Sequence, residues 1–142
     1  KTKFIMKKVL FVLSLVAVMV SCSKSPVGEA VEIFDNGAKA YAKAAETGTY
    51  TAVFDAVVEQ AKAAQAFLDA NKDFNPQGDD LKRLQDAEAN CMKAMEEAQK
   101  AVEKKYEGKE EEAMGEMFAA MAKMAEIEKT CPDVDKFTFI KK

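Results

Sequence analysis

Residues 79–106 read DDLKRLQDAEANCMKAMEEAQKAVEKKY, and the fold follows from how that stretch is patterned. Leu81, Leu84, Cys91, Met95, Ala98 and Val102 recur at nearly heptad spacing with charged residues between them, the pattern of a helix with one apolar stripe. Glu88 is the single misfit in that stripe. Asp79 and Asp80 supply an N-cap and a favourable charge at the start. A helix this long spans about 40 Å at 1.5 Å per residue, and its apolar stripe needs partners to cover it.

The partners lie on both sides in sequence. Beyond Gly108, a helix from about Lys109 to Cys131 opens with Glu110, Glu111 and Glu112 at its dipole's positive end and stops at Cys131-Pro132. Met114, Met117, Phe118, Met121, Met124 and Ala125 are expected to face inward. Before Gly78, a helix from about Thr51 to Ala70 turns Phe54, Val57, Val58, Ala61, Ala64, Phe67 and Leu68 to one side. Before Gly48, residues from about Glu29 to Glu46 do the same with Ala30, Val31, Phe34, Ala38, Tyr41, Ala42 and Ala45, and Asn36-Gly37 inside that run predicts a local kink.

No stretch alternates with period two for long enough to form a sheet. The connections are short, so successive helices should run antiparallel. The expectation is an all-α chain: an up-down antiparallel four-helix bundle over residues 29–131, with two helical hairpins lying side by side as the nearest alternative. Residues 132–142 form a tail whose Phe137, Phe139 and Ile140 either cover the end of the bundle or lie free.

Composition excludes much chemistry. The 142 residues include no histidine, which removes the usual general base, the Ser/His and Cys/His pairs and the Glu-x-x-His motif of di-iron bundles. GxGxxG, Walker and GxSxG patterns are also missing. Catalytic residues are therefore expected to be none, with no cofactor and no metal. Adjacent acids such as Glu96 and Glu97 point in different directions on a helix and read as a solvated face.

The N-terminal segment is the most specific part of the chain. From Met6 it reads MKKVLFVLSLVAVMVSC: two lysines, then 12 residues from Val9 to Val20 that are apolar except for Ser14. Such a run is short for a membrane span, which takes about 20 residues, and has the layout of a signal peptide. Met19-Val20-Ser21-Cys22 resembles the lipobox of bacterial lipoproteins, in a loose form similar to that of Bacteroidota-type Gram-negative bacteria; the resemblance covers Met6 to Ser25. It implies a signal peptide over residues 1–21, cleavage after Ser21, lipidation of Cys22, and a tether over 22–28. The alternatives are an anchor helix, or an ordinary signal with a chance cysteine. Ser23-Lys24-Ser25 lacks an aspartate next to Cys22 and lacks an acidic cluster, which in such families implies an outer-membrane anchor facing the periplasm.

Removing residues 1–21 takes four lysines and no acids, leaving 17 basic and 24 acidic side chains, a formal charge of −7. Such a surface repels nucleic acid. An oxidising compartment would favour a Cys91–Cys131 disulfide, closing a loop worth roughly 3–4 kcal/mol. A hairpin turning at Gly108 opposes it by an axial offset of about 9 Å, which leaves two buried thiols as the alternative. The methionine stripe reads as core packing, since thioethers are soft Cu(I) ligands but no histidine completes a site; an adaptable groove for a lipid or a partner helix is the intermediate reading. Asp69 to Asp80 places oxygen side chains like a calcium loop. It has Phe74 where the sharp turn needs glycine and Asp80 where the bidentate glutamate belongs.

Together these readings predict a lipid-anchored envelope protein, attached to the membrane through Cys22, with a structural or protein-interaction role and an envelope protein as partner. The alternative is a binding module for an apolar ligand or, with less support, for calcium at 69–80.

Overall fold

The structure, a computed structural model, describes residues 25–141. The signal peptide, the lipobox and Cys22 lie outside the described residues. Four helices follow one another: α1 (Pro26–Thr47), α2 (Tyr50–Ala70), α3 (Gly78–Lys105) and α4 (Glu110–Thr130), with a single 3-10 turn at Val134–Lys136. Among the described residues there is no strand. The chain is an all-helical bundle, with its helix ends within three residues of those expected.

α1 starts earlier than the reading of 22–28 as a tether placed it. Ser25 is its N-cap, accepting from the Gly28 amide at 3.1 Å, and Pro26 occupies the first turn, where its missing N–H is no loss. Residues 26–28 therefore belong to the bundle. α1 also runs unbroken through Gly37. It ends at Gly48, whose φ of 69° only glycine adopts freely.

Side-chain contacts give the helix directions. Tyr41 of α1 meets Gln60 of α2 across the Gly48 turn, so these two run antiparallel. Gly37 lies beside Cys91, and the Lys105 ammonium donates to the Thr47 carbonyl, so α1 and α3 run parallel. Along α2 and α4, Thr51 pairs with Glu116, Asp55 with Lys123 and Lys62 with Glu126, so those two are also parallel. This is up-down order. Its tightest packing, however, is α1 on α3, followed by α1 on α2 and α4 on α2, and no Cα of α4 comes within 8 Å of α1 or α3. The hairpin of α3 and α4 is splayed open.

The core lies among α1, α2 and α3, built from Phe34, Tyr41, Phe67, Leu84 and Val102 with alanines that let the backbones approach. Stacked Tyr50 and Tyr106, 5.4 Å apart, close one end. The C-terminal tail closes the other. Phe137 stacks on Phe34 at 4.8 Å and meets Phe67 edge-on at 5.6 Å, while Phe139 and Phe74 complete a cluster of five rings. Of the two fates open to the tail, it covers the bundle.

Candidate functional site

Two buried polar residues hold that tail. The Glu88 carboxylate, 7% exposed, accepts from the Thr138 hydroxyl at 2.6 Å and from the amides of Phe139 and Ile140 at 2.6 and 3.1 Å. Gln65 of α2 accepts from the Asp133 amide at 2.9 Å and donates to Asp69. The misfit in the α3 stripe is thus an anchor for backbone donors that the tail's extended path would otherwise leave unpaired. Among the described residues no buried side-chain nitrogen or oxygen lacks a partner. Paired polar groups and packed rings thus close this end of the molecule.

The opposite holds between α3 and α4. The side of α4 that meets α2 is Ala113, Glu116, Ala120, Lys123 and Ile127, stepping by three and four residues. Glu116 accepts from the amide and hydroxyl of Thr51, in the first turn of α2, where a carboxylate satisfies a free N–H. Lys123 pairs with Asp55. The expected inward face is therefore an outward one: Met114, Met117, Phe118, Met121 and Met124 are 58, 49, 66, 64 and 40% exposed. The reading of the methionines as core packing is corrected accordingly. Against α2, α4 buries Ala120 and Ile127, with the paired Glu116 and Lys123 alongside them, and leaves its methionines and Phe118 largely exposed.

Across the gap stand Met92 and Met95 of α3. Two adjoining clefts run along it, one of 310 Å³ reaching down to Phe34, Cys91 and Phe137, the other of 430 Å³ floored by Tyr50, Val53, Phe54 and Val102. Val57, Met95 and Met124 line both, so they form one apolar groove. Methionine suits such a surface, since its unbranched thioether adapts to a partner's shape at little cost. Between Ala113 and Ala125 the only charges are Glu116 and Lys123, both committed to α2. The outer side of that stretch carries none.

The disulfide is not formed: Cys91 and Cys131 are free, buried thiols. Because α4 stands away from α3, the two have different neighbours. Cys131 packs with Ala61 and Ile127, whereas Cys91 receives a hydrogen bond from the Gln60 amide at 3.2 Å and lies against Gly37. Cys91 does share the groove with Met92, Met95 and Met124, a convergence the sequence did not reveal. Burial above all, with the nearby charges of Glu88 and Asp35, pushes its thiol up, which keeps it protonated and a poor metal ligand at neutral pH.

Several polar side chains of the 69–80 loop pair with each other or with the end of α2. Asn71 donates to the Phe67 carbonyl, Gln77 to Asn75, and Asp69 accepts from Gln65, while Phe74 enters the ring cluster. Among the described residues no group of three or more His, Cys, Asp or Glu gathers as a metal site, and no helix is long and apolar enough to cross a membrane. Comparison with protein-family models, curated proteins and solved structures finds no match for the chain.

Proposed function

We propose that the protein is a lipid-anchored interaction module of the cell envelope, held to the bilayer through Cys22, which presents the methionine groove and the outer face of α4 to a protein partner. The observation carrying this reading is the exposure of six large apolar side chains on one side: Met92, Met114, Met117, Phe118, Met121 and Met124. Apolar patches of this kind on a folded domain mark surfaces that are covered in use. The rest of the molecule agrees with that role. Its buried Glu88 and Gln65 are spent on fastening the tail, and the groove is lined mainly by apolar side chains suited to binding.

The anchor fits the same picture. Only Ser23 and Lys24 separate Cys22 from the N-cap Ser25, a reach of about 10 Å when extended. The five-ring end, where α1 begins, therefore sits next to the membrane, with the helices rising from it and the groove along their length.

Photoreactive phenylalanine at position 118, introduced in intact envelopes, will give protein cross-links, and the same group at exposed Lys43 on α1 will give almost none. Equal yields at the two positions would remove the α4 face as the interaction surface. Mass spectrometry of the N-terminal peptide from the native chain will show Cys22 as the first residue carrying a diacylglyceryl group; an unmodified Cys22 thiol would remove the lipid anchor.

A further inference from the structure

We infer that the partner on the methionine face is a second copy of this chain, paired through α4 about a two-fold axis parallel to the helices. The inference rests on the proposed function above and gives it an occupant.

Three observations select a second copy. The first is area. At roughly 200 Å² for a large side chain, the six exposed residues offer on the order of 600 Å² of apolar surface. A stable dimer takes about 800 Å² from each subunit, about two-thirds of it apolar, so this one face supplies what a homodimer needs.

The second is self-complementarity. Ridge and groove lie side by side on the same face: Phe118 and Met121 project from α4, and the 430 Å³ cleft opens beside it toward α3. A two-fold axis requires one patch to match itself, and here the ridge of each copy meets the other's cleft reciprocally. The α3–α4 packing that each chain leaves open is then completed by the other chain's α4.

The third is spacing. Met114, Met117, Met121 and Met124 step by three, four and three residues, the seam of a two-stranded coiled coil, and it lies next to the separate seam that binds α2. With about 10 Å of tether, two copies anchored in one bilayer must rise from it in the same direction. Their α4 helices then run parallel and in register, Met117 opposite Met117 and Met121 opposite Met121. The acidic turn at Glu110, Glu111 and Glu112 meets its own copy at one end, so added salt tightens the pair by screening that repulsion.

The test uses the full chain carrying Met117→Cys in intact envelopes under a mild oxidant, read on non-reducing gels and by mass spectrometry of the joined peptides. The expected product has twice the monomer mass and joins position 117 to position 117. It should exceed that of Lys43→Cys, or of the unsubstituted chain with its two buried thiols, by at least tenfold. Adding Phe118→Glu should cut it at least tenfold with helix content and melting temperature unchanged, since Phe118 is in solvent within the single chain. A monomeric M117C chain overturns the second copy as occupant. The photoreactive group at 118 then separates the two claims: adducts with a different protein leave the interaction module standing without self-pairing, whereas lipid adducts alone, or none, remove both.

Discussion

A chain ending after Lys136 will not melt cooperatively at any temperature where the intact protein is folded. Phe137 is 7% exposed, stacked on Phe34 and edge-on to Phe67, and losing a buried phenylalanine costs about 3–5 kcal/mol. Truncation also strips Glu88 of all three of its donors. A hydrogen bond to a charged group contributes about 1.5–3 kcal/mol, so losing three of them together is costly even where water replaces part of it. The two losses overlap, yet about 5 kcal/mol or more is comparable with the whole stability of an ordinary domain. Single substitutions separate the parts: Phe137→Ala should cost about 3–5 kcal/mol, and Glu88→Gln, which keeps the shape but loses the charge, about 1–3 kcal/mol. Urea unfolding followed by far-ultraviolet circular dichroism measures all three. A truncated chain with the intact chain's midpoint would show that the tail is ornament.

Gly37→Val will destabilise by about 3 kcal/mol, and Gly115→Ala will stabilise by up to about 1 kcal/mol. A Cβ at Gly37 would stand 2.7 Å from the Gln60 amide nitrogen, 2.9 Å from its amide carbon and 3.0 Å from the Cys91 sulfur. Gln60 must move, and in moving it abandons the Tyr41 hydroxyl, which donates to it at 2.8 Å. Tyr41 is 2% exposed, so its hydroxyl loses its protein partner in a nearly closed setting, and overpacking and the lost hydrogen bond each contribute roughly 1–3 kcal/mol. At Gly115 nothing lies within 4 Å of the added carbon, which leaves only the gain in helix propensity. The two glycines are alike in sequence and opposite in setting.

That contrast shows where the sequence stops being informative. The four helices and their ends were legible because periodicity, Gly48, Gly78 and Gly108 all agree. The N-cap Ser25 with Pro26 was legible too, and reading it as tether gave weight to composition where capping chemistry decided. Gly37 looked like a weak point in a helix, but it is a place where two side chains from other helices press close. The face of α4 was misread for a deeper reason. From Ala113 to Ala125 the helix is apolar on nearly every side, so hydrophobicity cannot choose a direction; Asp55 and the first-turn amide of Thr51 choose it, by pairing with Lys123 and Glu116. Glu88 was visible as an anomaly, but its partners are backbone amides, which leave no mark in a sequence. The disulfide expectation failed with the assumption that α3 and α4 pack together.

The account stands on the outer face of α4 being open in the single chain and covered in the envelope. Methionine oxidation by dilute peroxide, read residue by residue in a mass spectrometer, measures this directly. In the detergent-dispersed monomer, Met114, Met117 and Met121 should oxidise several times faster than half-buried Met95; in intact envelopes the same three should be protected. Equally fast oxidation in both settings would mean that nothing covers the face, and protection already present in the monomer would mean that α4 closes on α3 after all.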